Sequence, residues 1–307
     1  MTRATRLPAG VHVFERGWLS ANNVLFDAGD RTALVDSGYV CHAGQTVALV
    51  RSALGGRPLD HLLNTHLHSD HCGGNAALQL AYPALTTSIP PGDARAVEDW
   101  DEDALSYRAT GQDCPRFRFD ELLQPGQMLR LGNVDWEVHA APGHDPHSVI
   151  FFEPTSRTLI SADALWESGF GVVFPELLGE PSFEEVADTL DLIEALHPAV
   201  IIPGHGSVFV DVAGALQTSR ARLRAFAQSP QRHARHALKV LVKFKILAIQ
   251  QIALQDYLAW LGATPYFEKV RCRFFSDLPL QQLGHDLAAE LARSGVVYLD
   301  NDQLVNR

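Results

Sequence analysis

The stretch Thr65–Gly74, with the sequence THLHSDHCGG, limits this chain more than any other part of it. Its central six residues hold His66, His68, Asp70 and His71. Imidazole and carboxylate groups together suit Zn²⁺, Fe or Mn as ligands. The pattern HxHxDH is too specific to be typical of a histidine-rich surface loop. The sequence therefore predicts a metal site built around this stretch.

Composition predicts a globular protein with one or two domains. The chain has 307 residues, of which 46% are hydrophobic and 20% charged, which is not typical of disordered or fibrous chains. No apolar run is long enough to span a membrane, and the basic first residues lack the apolar segment of a signal peptide. Four scattered cysteines without a CxxC pair favour a reduced, cytoplasmic protein with single buried thiols.

Charge is unevenly distributed, and this predicts a second domain. The net charge is −11. Residues 1–215 carry 12 basic and 29 acidic side chains, whereas residues 216–307 carry 13 basic and 7 acidic ones. We predict a catalytic domain over residues 1–228 and a second domain over residues 229–307. The acidic first part argues against a non-specific nucleic-acid surface there.

The order of predicted elements favours two sheets packed face to face with helices outside. Helices are expected over residues 43–54, 75–81 and 183–196, the last with Ser182 as its N-cap and Glu185 completing a capping box. Residues 90–121 are either a pocket cover or an amphipathic surface helix with a loop. Strands are expected over residues 11–14, 23–26, 32–35, 59–64, 128–131, 135–139, 149–152, 158–160 and 200–202.

Three further candidate ligands directly follow predicted strands. They are His144 in the sequence PGH, Asp163 in SAD and His205 in PGHG. Residues at strand ends meet at one edge of a sandwich, and the flanking Pro and Gly permit tight turns. With the first four candidates they make seven ligands, too many for one tetrahedral or five-coordinate metal but suited to two metals sharing one carboxylate. Two such ions activate water, so this set predicts hydrolysis.

The ordered motifs HxHxDH, PGH, SAD and PGHG resemble those of the metallo-β-lactamase superfamily over roughly residues 10–215. The resemblance implies an α+β fold, the αββα sandwich, with the site at one edge. It implies one metal at His66, His68 and His144, a second at Asp70, His71 and His205, and Asp163 bridging them. Zn²⁺ is the favoured metal, with Fe and Mn as alternatives. Asp70 is expected to orient the attacking water or shuttle its proton, and Asp36 either supports a ligand or caps its own turn.

Departures from the patterns of particular branches of the superfamily reduce the number of activities that the resemblance implies. His68 stands where flavodiiron oxidoreductases have Glu, the long inserted domain of RNA-processing members is absent, and we find no basic cluster like the glutathione-binding set of glyoxalase II. Cys72 is predicted to be a packing thiol. His147 either lines the substrate pocket or is a solvated loop residue. Trp166, Phe170, Val172, Val173 and Phe174 form either an apolar pocket wall or a core plug.

After a helix over residues 213–228, the C-terminal part is predicted to contain three helices over residues 234–247, 249–260 and 280–293, the last separated from the others by Gly262 and Pro265, and then a hairpin turning at Asp300-Asn301-Asp302. Three helices followed by a hairpin resemble a winged-helix domain. The helix that would enter a DNA groove is poorly charged and the wing tip is acidic, which argues against nucleic-acid binding. The favoured role of this C-terminal part is a homodimer contact or a wall of the substrate pocket.

The leading prediction is a cytoplasmic dinuclear metallohydrolase acting on a small-molecule ester, thioester or lactone. A phosphodiesterase or endoribonuclease of the same fold is the alternative. A nucleic-acid-binding or regulatory protein with a structural metal site is the alternative from another class.

Overall fold

A computed structural model describes residues 7–307, and two packed β-sheets lie at its centre. The first sheet has six strands in sequence order: β1 (Val11–Phe14), β2 (Asn23–Phe26), β3 (Ala33–Val35), β4 (His61–Leu63), β5 (Thr86–Ile89) and β6 (Glu121–Leu122). The second has the order β11-β10-β9-β8-β7: β7 (Met128–Leu131), β8 (Val134–Ala140), β9 (Val149–Glu153), β10 (Thr158–Ala162) and β11 (Val200–Pro203).

Strand direction changes within each sheet. The strands β1, β2 and β3 form the predicted antiparallel meander, and β3 to β6 are parallel. In the second sheet β7 to β10 are antiparallel, and β11 joins β10 in parallel. Parallel pairs require crossover connections, and helices provide them.

Helices cover the outer faces of both sheets, as the αββα prediction requires. Between residues 7 and 228 the helices are α1 (Ala43–Leu54), α2 (Ser69–Cys72), α3 (Asn75–Ala81), α4 (Ala94–Asp99), α5 (Tyr107–Thr110), α6 (Phe174–Leu178), α7 (Ser182–Leu196) and α8 (Val212–Gln228), with 3₁₀ turns at Val40–His42 and Pro91–Asp93. Of these, α1, α3, α7 and α8 pack on the sheets. The helix α1 has the predicted bounds and ends at Gly55 in the left-handed conformation, as the Gly pair indicates.

Three apolar layers hold the sandwich together. The middle layer, which includes Trp136 and Phe151, fills the space between the sheets. One outer layer packs α1 and α3 on the first sheet through Val50 and Leu78. The other outer layer packs α7 and α8 on the second sheet. Burial of these faces supplies the main favourable free energy of the fold.

The N-cap prediction for α7 is wrong. Ser182 is already the first helical residue, and the residue before it, Pro181, has no side-chain donor or acceptor for capping. Instead Oε2 of Glu176 accepts a hydrogen bond from the backbone N–H of Phe183 at 3.0 Å. A carboxylate from outside the helix therefore satisfies a free N–H group of its first turn.

The C-terminal part has more elements than predicted. It contains α9 (Pro230–Ile249), α10 (Leu254–Ala263), α11 (Pro265–Phe274), α12 (Leu280–Arg293), β12 (Gln251–Ala253), β13 (Val297–Asp300) and β14 (Gln303–Asn306).

Two predictions for this part are wrong. The predicted helix over residues 249–260 is divided: Ile249 still belongs to α9, residues 251–253 form β12, which pairs with β14, and α10 begins at Leu254. Pro265 does not separate helices by a loop but begins α11, because proline fits the first helical position. The assignment to a winged-helix domain stays a prediction.

The C-terminal helices pack against the sandwich through an apolar core that includes two residues from before position 228. Val172 and Leu177 belong to the same buried cluster as Leu238, Phe267 and Leu287. The domain boundary at residues 228 and 229 stays a prediction.

The thiols differ from the expectation of single buried cysteines. Cys41 and Cys272 are exposed, and the buried Cys72 and Cys114 lie together with their Sγ atoms 3.7 Å apart. Within residues 7–307, no helix is both long enough and apolar enough to cross a bilayer.

Candidate metal centre and its pocket

All seven predicted ligands converge at one edge of the sandwich. His66 and His68 lie in the loop after β4, and Asp70 and His71 lie in the short helix α2. The other three follow β8, β10 and β11: His144, Asp163 and His205. The seven side chains fall into two groups, His66-His68-His144 and Asp70-His71-Asp163-His205, in each of which the ligating atoms lie within 4.8 Å of one another.

The first group brings three imidazole nitrogens together. Nδ1 of His68 lies 3.1 Å from Nε2 of His66 and 2.8 Å from Nε2 of His144. The backbone carbonyl of Val172 accepts a hydrogen bond from Nδ1 of His144 at 2.7 Å, which leaves a lone pair on its Nε2. Burial and the neighbouring histidines lower the pKa of His66 and bring that of His144 to about 4. His66 and His144 are therefore neutral imidazoles, the form that binds a metal.

Asp163 lies between the two groups. Its Oδ2 is 3.4 Å from Nε2 of His144, whereas its Oδ1 is 3.4 Å from Nε2 of His71. An irregularity in the pairing of β10 and a φ of 46° at Ala162 turn the chain just before this residue. A Cβ at Gly204 would lie 2.2 Å from Oδ1 of Asp163, so only glycine permits this close approach.

The second group contains a buried nitrogen that requires a cation. The carboxylate of Asp36 accepts a hydrogen bond from Nδ1 of His71 at 2.7 Å. Nε2 of His71 has no hydrogen-bond partner among the described residues, and it faces Asp163 at 3.4 Å and Asp70 at 3.9 Å. A buried lone pair facing two carboxylates is unfavourable unless a positive charge lies between them.

A proton or a metal ion can supply that charge. Burial lowers the pKa of His71, but the carboxylates of Asp36, Asp163 and Asp70 outweigh it and raise the pKa well above its usual value. The pKa of Asp163 is lowered because His71, His205 and His144 outweigh its burial. In the absence of metal the proton therefore stays on His71, and a bound metal ion would replace it.

Three contacts that hold this site were not predicted from the sequence. Asn22 donates hydrogen bonds to the carbonyls of Pro203 and Gly206 on either side of His205, at 3.0 and 2.7 Å. The indole of Trp18 stacks on the His205 ring at 5.6 Å. Nε1 of Trp166 donates to Oδ1 of Asp163 at 3.1 Å. Asn22 and Trp18 lie 181 to 187 residues from their partners, so no local pattern indicates these contacts.

The site opens into a cavity of about 600 Å³ whose wall is largely apolar. The segment after Asp163 contributes Trp166, Phe170, Val172 and Phe174, which confirms the pocket-wall alternative for these four. Val173 instead lies in the core beneath the second sheet.

The segment 90–121 forms another side of the pocket. It has its own apolar cluster with Leu67 and Cys72 and contributes Leu105 and Thr110 to the wall. His147 also lines the pocket, with Nε2 3.9 Å from Oδ1 of Asp93. Sγ of Cys72 contacts the hydroxyl of Tyr107 at 3.2 Å and is fully buried, as expected of a packing thiol.

The C-terminal helices complete the pocket. From α9 come His236, Val240, Leu241 and Phe244, and from α11 come Tyr266 and Lys269. Phe244 packs edge-on against Tyr39 at 5.2 Å, and the hydroxyl of Tyr266 donates to the carbonyl of Phe174 at 3.2 Å. The pocket-wall alternative for the C-terminal part is therefore confirmed.

Three basic residues of α9 contact other parts of the C-terminal region. Glu290 of α12 pairs with Arg235 at 2.7 Å and with Lys239 at 3.2 Å. Lys243 donates to the carbonyl of Val296 and to Asn306. These contacts partly neutralise Arg235 and Lys239.

The chain belongs to the metallo-beta-lactamase superfamily, whose sequence profile matches residues 16–205. Beta-lactamase-like protein 2 homolog of Drosophila melanogaster is 26% identical over 241 residues, 72% of this chain and 74% of that protein. A hydroxyacylglutathione hydrolase of Methylococcus capsulatus is 30% identical over 138 residues, 45% of this chain and only 44% of the relative's own length.

A solved structure adds a comparison of the fold. The protein TTHA1623, crystallised in a di-iron-bound form, is 27% identical, with a TM-score of 0.55. The similarity covers 68% of this chain and 98% of that one.

Proposed function

We propose that this metal-dependent hydrolase is a dinuclear enzyme that cleaves an apolar acyl thioester, with esters and lactones as chemically related substrates. One observation carries the proposal: Asp163 directs one oxygen to each of two ligand groups at the bottom of an apolar cavity. A relative named hydroxyacylglutathione hydrolase and a similar structure in a di-iron-bound form support it. In this chain the first ligand group would hold one metal through His66, His68 and His144, and the second group would hold another through Asp70, His71 and His205, with Asp163 shared between them.

Two divalent ions held there would lower the pKa of a water between them and polarise the substrate carbonyl. Zn²⁺ is favoured by the imidazole-rich donor set, and iron is the alternative. The residues themselves have separate roles. Asp36 and the Val172 carbonyl fix the tautomers of His71 and His144. Oδ2 of Asp70 contacts His205 at 3.0 Å, and we assign its pocket-facing carboxylate the task of orienting the water and accepting its proton.

The apolar wall is the reason for an acyl substrate. An apolar chain or ring gains roughly 25 cal/mol for each Å² it buries against such side chains. Phe170 and Phe174, from the segment after Asp163, and Phe244, from α9, approach the cavity from two different parts of the chain. Hydrolysis of a thioester adds one water and releases a carboxylic acid and a thiol.

The test is a panel of thioesters, esters, lactones, phosphodiesters and β-lactams on metal-loaded protein. We expect thioesters to give the highest kcat/KM. Preferential cleavage of phosphodiesters would contradict the proposal and favour the phosphodiesterase alternative. Fewer than about one tightly held metal per chain would contradict the dinuclear site and favour a binding or regulatory protein.

Asp163→Ala tests the shared ligand. This substitution should abolish hydrolysis and weaken the binding of both metals, because Asp163 directs one carboxylate oxygen to each ligand group. Asp135→Ala, at an exposed position of β8 that pairs only with Arg130, is the matched control and should keep both metals. Loss of a single metal in Asp163→Ala would refute the bridging role.

A further inference from the structure

We propose that the thiol arm of the substrate carries a phosphate, which binds in a basic groove between α8 and α9. This inference rests on the thioesterase function proposed above and adds the chemical class of the leaving group. The groove has a volume of about 810 Å³ and lies beside the catalytic pocket. Its basic lining residues are Arg222, Arg232, Arg235, His236 and Lys239, and no carboxylate is among the side chains that line it.

The groove adjoins the catalytic pocket, with which it shares two lining residues. Arg222 and His236 line both cavities. The guanidinium of Arg222 lies over the loop after Asp163, because a Cβ at Gly169 would be 2.3 Å from its Nη1. A substrate whose carbonyl lies at the metal ligands can therefore extend past Arg222 into the groove.

Two of the cations are available for an anion. Arg235 and Lys239 share Glu290. Within residues 7–307 no carboxylate pairs with Arg222 or Arg232. The charges of Arg222, Lys239 and Arg232 all act on His236, whose pKa falls to about 4 through burial first and these cations second. The groove therefore holds unpaired positive charge next to a neutral imidazole.

The chemistry of the groove fits a phosphate better than a carboxylate. A phosphate monoester carries up to two negative charges and accepts hydrogen bonds through three oxygens, so it can contact two guanidinium groups at once. Because the wall of the catalytic pocket is largely apolar and carboxylate-free basic residues line the groove, we assign the phosphate to the thiol arm and the apolar group to the acyl arm. Phosphopantetheine has this chemistry, either in coenzyme A or on a carrier protein.

The test compares three thioesters of one acyl group on metal-loaded protein: S-acyl-pantetheine without phosphate, S-acyl-4′-phosphopantetheine, and acyl-coenzyme A. We expect the two phosphate-bearing thioesters to have at least about tenfold higher kcat/KM, as one charge-assisted contact provides. Arg232→Glu should lower this preference about tenfold, and salt should lower it in the wild type. Arg224→Glu, at an exposed position of α8 outside the groove, is the control and should keep it.

A second measurement does not depend on hydrolysis. Calorimetry should show that coenzyme A binds the wild type and Arg224→Glu, and that Arg232→Glu weakens it about tenfold. If coenzyme A binds in this way but no thioester is cleaved, the groove assignment stands and the thioesterase function fails. An acylated carrier protein preferred over acyl-coenzyme A identifies the carrier as the source of the phosphate.

Three results would overturn the inference. The first is equal kcat/KM for pantetheine and phosphopantetheine thioesters. The second is a preference for S-acylglutathione, whose charge comes from carboxylates. The third is binding of single-stranded RNA that Arg232→Glu abolishes, together with no binding of coenzyme A.

Discussion

Replacement of Asp36 by Asn should selectively weaken metal binding at His71. The buried carboxylate of Asp36 accepts three hydrogen bonds: from the backbone N–H of Thr65 at 2.9 Å, from the Thr65 hydroxyl at 2.8 Å, and from Nδ1 of His71 at 2.7 Å. Asn keeps the shape and tolerates the left-handed φ of 58° at this position. Its amide nitrogen, however, can only donate. The N–H of Thr65 loses its acceptor if the nitrogen takes the place of Oδ1, and the Thr65 hydroxyl and Nδ1 of His71 lose theirs if it takes the place of Oδ2.

The expected size of this effect follows from the role of His71. If the amide nitrogen faces Nδ1 of His71, the imidazole moves its hydrogen to Nε2 and loses the lone pair that binds metal. Loss of a partner that orients a metal-binding histidine lowers metal affinity about 10- to 100-fold, which is about 1.4–2.7 kcal/mol. The group of His66, His68 and His144 has no contact with Asp36 within the described residues and should keep its metal.

The assay is metal stoichiometry and affinity by chelator competition. The variant should hold one metal as tightly as the wild type and a second one more weakly. Asp60→Asn is the matched control, because Asp60 accepts from the backbone N–H and hydroxyl of Thr32 at 2.8 and 3.2 Å, away from the metal ligands. Two metals bound with wild-type affinity by Asp36→Asn would refute the reasoning. So would an equal loss of affinity in Asp60→Asn.

Two further predictions concern the surroundings of the site. His233 is buried, and neither of its ring nitrogens has a hydrogen-bond partner among the described residues. Burial, and second the charge of His236, lower the pKa of His233 to about 3. As the pH falls from 6.5 towards 3, the unfolded chain therefore binds a proton at this residue and the folded chain does not. In denaturant titrations His233→Phe should therefore stabilise the fold by about 1 kcal/mol at pH 7 and by up to about 1.4 kcal/mol more for each pH unit between 6.5 and 3. Phe244→Ala should lower kcat/KM about tenfold for long or aromatic acyl groups and little for acetyl, because it removes a large apolar part of the wall.

Each of these predictions has its own control. His285→Phe on the exposed face of α12 should show neither gain, and an equal gain there would contradict the account of His233. For Phe244, the acetyl substrate is the internal control. An equal loss of activity on acetyl and long acyl substrates would indicate a disturbed metal centre and not a lost pocket contact.

The sequence by itself determined the sandwich and the placement of the seven candidate ligands. Strands of alternating or continuous apolar residues, separated by Gly and Pro, are local signals, and they predicted nine of the eleven strands described in the two sheets, all but β5 and β6. The ligands could be predicted because four of them lie in the loop and short helix after β4 and the other three follow β8, β10 and β11, so strand ends that share an edge bring them together. The bounds of α12 were also predicted, since its apolar period is complete and Ser294 and Gly295 end it.

Only the tertiary structure decided the surroundings of those ligands. The cap of α7 comes from Glu176 in a preceding helix. The packing of α8 beside α9 forms the basic groove, which brings Arg222 of one helix close to the basic residues of the other. Such contacts join residues that are not separated by a regular interval in the sequence. Their free energy depends on burial and on the distance between atoms, and a sequence pattern gives neither.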